Sequence, residues 1–320
     1  MRRLTSRLRK RAVSGQKLLS AGFFHVLNRH RLRWGHFDTF LLLLLLVGCG
    51  FLLYRINAGL EYRWNWQVIP QYLLRYDELE GWVPNLLLEG LLTTIRLSFW
   101  SLLVAIPLGL VTGLLRTSLH LFNRLLGTTY VTLLRNLPPL VLVFIFYFFI
   151  SDQILPYLQI DARVAALAEG WQNWVRLLFA PPGQVEAFAA AVMTLALFES
   201  AYIGEIVRAG INAIDRGQWE AGRALGMRRW QIMRQVVLPQ AFQRMIPPLA
   251  GQAISTIKDS AIVSVISIQE LTFQGMELMA ATYLTFEVWI TVTLLYFLLT
   301  YSCSLLAGGL ERHLQRSHSY

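Results

Sequence analysis

Two charged residues, Lys258 and Asp259, stand in a stretch whose other residues are mostly apolar, small or hydroxyl-bearing. An ionisable side chain inside a membrane costs at least about 2.5 kcal/mol, so it must face a polar cavity or a partner. In another apolar stretch, Glu199 and Tyr202 are three residues apart and share a helix face. Either these groups line a polar path for a zwitterionic solute, or Lys258 pairs with Glu199 or Asp259 and only holds helices together. The candidate path residues are Glu199, Tyr202, Lys258, Asp259 and Ser260.

The chain has no combination of residues typical of an enzyme. It contains no Gly-x-x-x-x-Gly-Lys-Ser/Thr segment to cradle ATP phosphates and no His-Glu-x-x-His or paired-cysteine metal site. Its two cysteines, Cys49 and Cys303, both lie in apolar stretches and indicate small buried residues. We therefore predict that the chain is not an enzyme, binds no metal and holds no cofactor of its own.

The hydrophobic residues, 55% of the 320, come in long blocks. A helix needs about 20 mostly apolar residues to cross a hydrocarbon core about 30 Å thick. The predicted fold class is therefore an all-α polytopic membrane protein. We expect about six transmembrane helices, at 37–55, 86–114, 127–151, 186–207, 245–268 and 286–309.

The basic residues sort to one side of these spans. Of the 29 Lys and Arg residues, ten precede the first span and eleven fall in the second-to-third and fourth-to-fifth connections and the C-terminal tail, whereas five lie on the other side. Cytoplasmic segments concentrate Lys and Arg, so both termini are predicted to be cytoplasmic. This sorting accounts for the net charge of +10 without nucleic-acid binding.

The segment from Glu220 to Ala241 is too polar to be a span and too patterned to be an irregular loop. We predict a short helix over Trp219–Leu225, with the glutamate in its first turn and Gly226 in the left-handed conformation that ends it. A second helix is predicted over Arg229–Val237, with Pro239 just beyond its end. Two short helices joined at a glycine would form a compact knob that can dock in a groove on another protein.

This segment resembles the EAA loop of bacterial ABC importer permeases. The family often has Ala where this chain has Gly222, and both residues are small. In the family this loop is the coupling helix that sits in a cleft of the ATPase subunit. The residues that match are Glu220, Ala221, Gly222, Gly226, Leu238 and Pro239.

Flanking motifs are similar to the polar amino acid branch of that family, the His/Glu/Gln/Arg type. Arg-Asn-Leu-Pro replaces the usual Arg-Gly-Thr-Pro, and Lys-Asp-Ser-Ala-Ile replaces Lys-Asp-Thr-Ser-Leu. Three charged residues are placed at cytoplasmic span ends, where the arginines are expected to snorkel or to contact the loop. They are Arg135, Glu205 and Arg208.

The resemblance covers five spans and implies a five-helix type I importer core preceded by one extra helix. The expected organisation is a basic cytoplasmic segment at 1–36, the extra helix at 37–55, a periplasmic segment at 56–85, a permease domain at 86–309 with its coupling loop at 208–244, and a cytoplasmic tail at 310–320.

The resemblance also implies a transporter of the bacterial inner membrane with several partners. They are a dimer of cytoplasmic ATPases that bind the ATP, a second permease subunit that is identical or homologous, a periplasmic solute-binding protein, and an amino-acid substrate. ATP-driven closure of the ATPases would move the loop and swing the spans between outward-open and inward-open states.

Two other functions are compatible with intramembrane charge or with multiple spans. One is a secondary transporter that uses Lys258, Asp259 and Glu199 for ion coupling. It would be supported by repeated halves with broken helices, and no such repeat is visible in the sequence. The other is a membrane anchor or sensor, against which the intramembrane charges argue.

Overall fold

A computed structural model describes residues 36–59, 62, 64–79 and 81–316. The chain divides into two compact units, residues 1–63 and 64–320. In the first unit, helix α1 (His36–Gly59) contains the run of six leucines and the first predicted span. The predicted basic segment at 1–36 lies, apart from its last residue, outside the described residues, as do positions 317–320 of the predicted tail.

The described residues of the second unit form helices and one small hairpin. Short 3₁₀ turns occupy Trp66–Val68, Leu155–Tyr157 and Ser260–Ile266, and a π-helical turn occupies Met233–Val237. Strands β1 and β2 pair antiparallel. The remaining elements are α2 (Ile69–Leu73), β1 (Leu74–Asp77), β2 (Gly81–Pro84), α3 (Leu86–Arg116), α4 (Leu121–Asn136), α5 (Pro139–Gln153), α6 (Ile160–Ala165), α7 (Glu169–Leu178), α8 (Val185–Asn212), α9 (Arg216–Ala224), α10 (Arg229–Ile232), α11 (Leu238–Asp259), α12 (Leu271–Thr282) and α13 (Thr285–Arg316).

Within the described part of the chain, four helical segments are long and apolar enough to cross a membrane. A fifth apolar segment, Phe37–Phe51, is shorter than a full span. These five segments overlap five of the six predicted spans, and the polytopic helical fold class is confirmed. The four long segments are Leu86–Arg116, Pro139–Tyr157, Val185–Asn212 and Thr285–Gly309.

The third span begins later than predicted. The sequence placed it at 127–151, but the chain breaks between α4 and α5, where Leu137 takes an extended conformation. A residue before proline is pushed out of the α region, and here Pro138 and Pro139 follow in succession. The apolar helix therefore starts at Pro139, and α4 is a separate helix that packs on α3 and α8.

The fifth span, predicted at 245–268, is helical but not uniform. The α-helix ends at Asp259 and continues as 3₁₀ turns to Ile266, and Ser267 then takes a left-handed conformation. This stretch is not among the long apolar helices. Lys258 and Asp259 therefore lie at a change of helix type rather than in the middle of a regular span.

Helices α3 and α8 form the centre of the second unit and run parallel. Gly109 of α3 lies against Ile203 of α8, and Gly113, one turn later, lies against Val207, one turn later on α8. The two helices therefore run in the same direction. A side chain at either glycine would collide with these residues at less than 3 Å, so the small residues set the close approach. Since α8 has 28 residues, its two ends are about 42 Å apart.

Candidate functional site

The loop after α8 begins with a capped helix. The Asp215 carboxylate accepts a hydrogen bond from the Gly217 backbone N–H at 2.6 Å and so starts α9 at Arg216. The helix was predicted to start at Trp219. Glu220 consequently lies in the second turn and not in the first, and Asp215 supplies the negative charge at the helix N-terminus.

The predicted role of Gly226 as the helix terminator is confirmed. Its φ is +74°, in the left-handed region. The Met227 N–H donates to the Gly222 carbonyl at 3.0 Å, and the Gly226 N–H donates to the Arg223 carbonyl at 2.9 Å. These two bonds form a Schellman motif, which satisfies the last carbonyls of α9.

The sequence suggested that the second helix ends before Pro239, but the structure shows that it continues. Helix α10 passes through the π turn directly into α11, and Pro239 is the second residue of α11. The Leu238 N–H donates to the Met233 carbonyl, five residues earlier. A proline in a regular helix would collide with the carbonyl four residues before it. For Pro239 that residue is Gln235, which lies in the wider π turn.

The helices of the knob, which we define as residues 215–241, pack on each other at Gly222. A Cβ atom at Gly222 would lie 2.8 Å from Cγ1 of Ile232, which is itself 1% exposed. Apolar side chains of the knob join one buried cluster with α3 and α8, so the knob is fixed to the membrane helices. The buried members of this cluster are Ala105, Ala196, Ile203, Val207, Ile211, Ile214, Ile232, Met233, Val237, Ala241 and Met245.

Arg229 joins both halves of the knob to the end of α3. Its guanidinium lies 5.3 Å from the ring centroid of Trp219 and donates to the Thr117 carbonyl at 3.3 Å. A cation over an indole face is attractive. A groove of about 480 Å³ opens beside this contact and is lined by Ile211, Asn212, Ile214, Arg216, Trp219, Glu220, Arg223 and Arg229.

The outer surface of the knob combines basic and apolar groups. Leu225 is 81% exposed and Trp230 is 66% exposed. Of the predicted loop residues, Glu220, Ala221, Gly226 and Pro239 are exposed, Leu238 is half-buried, and Gly222 faces inward. Such a surface offers both apolar area and charge to a protein partner.

At the same end of α8, Glu205 contacts the two arginines that the sequence placed at span ends, and also Arg116. It forms hydrogen-bonded ion pairs with Arg116 and Arg208, and Nη1 of Arg135 lies 3.7 Å from its Oε2. The guanidinium of Arg135 also lies 5.4 Å from the ring centroid of Tyr202. Arg135 and Arg208 therefore contact Glu205, and no contact with the knob is described for them.

The candidate path residues fall into two environments. Glu199 is fully buried and accepts a hydrogen bond at 2.7 Å from Gln252, with Asp259 as its charged neighbour. Lys258 is exposed and forms no ion pair with any described carboxylate. The pairing of Lys258 that the sequence offered as an alternative stays a prediction, because the charge of Lys258 still acts on the neighbouring Asp259 carboxyl group. Ser260 is buried and donates to the Ile257 carbonyl at 2.8 Å.

Sequence reasoning missed a buried acid outside the predicted path. Glu270 is fully buried at the start of α12, where Oε1 accepts from the Phe273 N–H at 2.8 Å. Its Oε2 accepts from the Tyr296 hydroxyl at 2.7 Å and lies 3.4 Å from the Thr94 hydroxyl. The only sequence signal was an acid just before a helix, and glutamate is not a preferred N-cap residue.

Comparisons with known proteins agree with this geometry. Residues 105–317 match the family described as the binding-protein-dependent transport system inner membrane component. The glutamine transport system permease protein GlnP of Escherichia coli (strain K12) is 33% identical over 230 residues, which cover 72% of this chain and 93% of that protein. The probable glutamine ABC transporter permease protein GlnM of Bacillus subtilis (strain 168) is 30% identical over 73% of this chain and 95% of its own length.

A solved structure is similar over the same region. A crystal structure of an amino acid ABC transporter with histidines contains a chain that is 33% identical, with a TM-score of 0.55 over 71% of this chain and 94% of that chain. The family match at residues 105–317 contains the knob, the arginine network around Glu205 and the candidate path. The chain therefore belongs to the family of inner membrane components of binding-protein-dependent transport systems, as the membrane permease and not the ATPase.

Proposed function

We propose that this chain is the permease subunit of an ATP-driven importer of polar amino acids in a bacterial inner membrane, with both termini cytoplasmic. The observation that carries the proposal is the alignment with a glutamine permease at 33% identity over 93% of that protein. The family match at residues 105–317 includes the knob and the arginine network, so the relatedness extends to the parts that would couple and gate transport. The alternative of a secondary transporter receives no support from these relatives.

The knob is the proposed contact for the partner ATPase. Its exposed Leu225 and Trp230 supply apolar area, Glu220 and the arginines supply charge, and the buried cluster fixes it to α3 and α8. A push on the knob would therefore move those helices as a body. ATP would be bound by the partner, and a second permease subunit and a periplasmic binding protein would complete the importer.

The path residues are proposed to act where α8 meets α11. Glu199 and Asp259 place two neighbouring carboxyl groups there, and Lys258 places an amine on an exposed face. An amino acid has both charges, so a path with both can replace part of its hydration. When this path opens, the carboxyl groups of Glu199 and Asp259, which are neighbours in the described conformation, would move apart.

The test is substrate uptake by the reconstituted importer, with ATPase, permease and binding protein encoded by neighbouring genes. Glu220→Lys reverses one exposed charge in the knob and is expected to lower co-purification of the ATPase and ATP-dependent uptake. Glu78→Lys makes the same change on the exposed hairpin and serves as the control. Unchanged ATPase binding and uptake in Glu220→Lys would refute the coupling assignment.

A further inference from the structure

A cavity of about 630 Å³ lies at the end of the second unit opposite the knob. It is bounded by the hairpin, the first turns of α3 and α8, the end of α7 and residues 267–269. Because α3 and α8 run parallel, their N-terminal ends meet there, about 42 Å along α8 from the knob. A volume of this size is typical of sites for small molecules.

The cavity has an excess of positive charge. Its lining includes Arg75, Arg96 and Arg176 against the single carboxylate of Glu89, which leaves a formal net charge of +2. None of the three guanidinium groups forms an ion pair with a described carboxylate. A cavity with unpaired guanidinium groups favours an anion, and phosphate matches their geometry.

The three arginines are engaged differently. Arg96 donates to the carbonyls of Leu92 and Arg176 and to the Thr93 hydroxyl, so its guanidinium is held in place by the protein. The side chains of Arg75 and Arg176 are exposed and donate no hydrogen bond to a described residue. These two groups are therefore available to a ligand, and Arg96 adds fixed charge behind them.

The rest of the lining is mostly apolar, although polar residues such as Asn173 and Gln184 are among it, and its apolar part leads towards the hydrocarbon. Leu92, Ile95, Leu177 and Phe179 line the cavity beside the arginines. From there, exposed apolar residues continue down one face of α3, at Ile95, Phe99, Leu103, Ile106 and Leu110. A free small anion would leave these walls without a partner, whereas the acyl chains of a lipid would cover them.

We propose that this cavity binds the headgroup of an anionic phospholipid, with the phosphate held by Arg75 and Arg176 and the acyl chains lying along α3. Gln274 also lines the cavity, and its buried Oε1 receives no hydrogen bond from the described residues. A glycerol hydroxyl of the headgroup would supply that donor. The proposal goes beyond transport and requires no particular solute.

The experiment is native mass spectrometry of the full-length chain, purified in detergent and titrated with phosphatidylglycerol or with phosphatidylcholine of the same acyl chains. We expect preferential binding of phosphatidylglycerol. The double variant Arg75→Gln/Arg176→Gln should bind it about tenfold more weakly or worse, since each arginine contributes one charge-assisted hydrogen bond. Phosphatidylcholine has the same phosphate but also a choline cation, so its weaker binding should fall less and the preference for phosphatidylglycerol should be lost. Arg163→Gln is the matched control, because Arg163 is exposed on α6 and does not line the cavity.

Two results would overturn the proposal. The first is an undiminished preference for phosphatidylglycerol in the double variant, or an equal loss in Arg163→Gln. The second is displacement of the lipid by free glycerol phosphate or glutamate at similar concentrations, which would make the cavity a site for a small soluble anion. If the double variant does not fold, the single variants Arg75→Gln and Arg176→Gln are measured instead, and each should weaken phosphatidylglycerol binding by a smaller factor.

Discussion

Gly222 lies directly against Ile232, and this contact holds the two halves of the knob together. Ile232 is 1% exposed and fills the space that a side chain at Gly222 would occupy. Gly226, four residues later, has no atom within 4 Å of the position of a Cβ, and its φ is +74°. The two glycines are therefore required for different reasons, one for space and the other for backbone conformation.

Replacement of Gly222 by valine should destabilise the knob by about 1–3 kcal/mol, because it overpacks the contact with Ile232. The loss should appear as a lower unfolding temperature in detergent, although valine favours a helix more than glycine does. Ala224→Val places the same side chain on the exposed face of α9 and should leave the unfolding temperature near wild type. Equal effects of the two variants would contradict the packing role of Gly222.

Replacement of Gly226 by alanine should cost about 1–2 kcal/mol through the left-handed backbone alone, since the site has ample space. Gly226→Asn should cost less, because asparagine tolerates this conformation better. The measurement is again thermal unfolding, combined with ATP-dependent uptake by the reconstituted importer. An alanine variant as stable as wild type, or an asparagine variant less stable than alanine, would refute this explanation.

The arginines around Glu205 should contribute unequally to stability. Arg116 has a side chain that is 12% exposed and hydrogen-bonds Glu205, so Arg116→Met should cost about 1–3 kcal/mol. Arg135 is 40% exposed and lies 3.7 Å from the carboxylate, so Arg135→Met should cost at most about 1 kcal/mol. Unfolding of the purified variants in detergent gives both values, and the reverse order would show that the network is not held by Arg116.

Replacement of Lys258 is the most direct test of whether the candidate path residues contact the substrate. Because its side chain is exposed and has no described ion-pair partner, Lys258→Met should preserve protein abundance. Uptake per transporter should fall by about tenfold or more, which corresponds to one lost charge-assisted hydrogen bond to the substrate. Lys258→Arg keeps the charge and should retain more uptake. If uptake falls only in proportion to abundance, Lys258 has a structural role.

The sequence determined the helical membrane class, the position of most spans and the conformation of Gly226. These features depend on local properties. Apolar blocks of about 20 residues favour membrane helices, and a glycine after an amphipathic helix favours the left-handed cap. The EAA motif also identified the family, because its residues lie within one short segment of the chain, from Glu220 to Pro239.

Only the tertiary structure decided which charges meet. Arg208 is three residues from Glu205 on the same helix, but Arg116 and Arg135 reach Glu205 from two other helices, and their separation along the chain gave no sign of it. The same holds for Glu270 with Tyr296 and for the three arginines of the outer cavity. Composition can place a charge in or beside a membrane, but its partner is set by how helices pack, and that depends on contacts between residues distant in sequence.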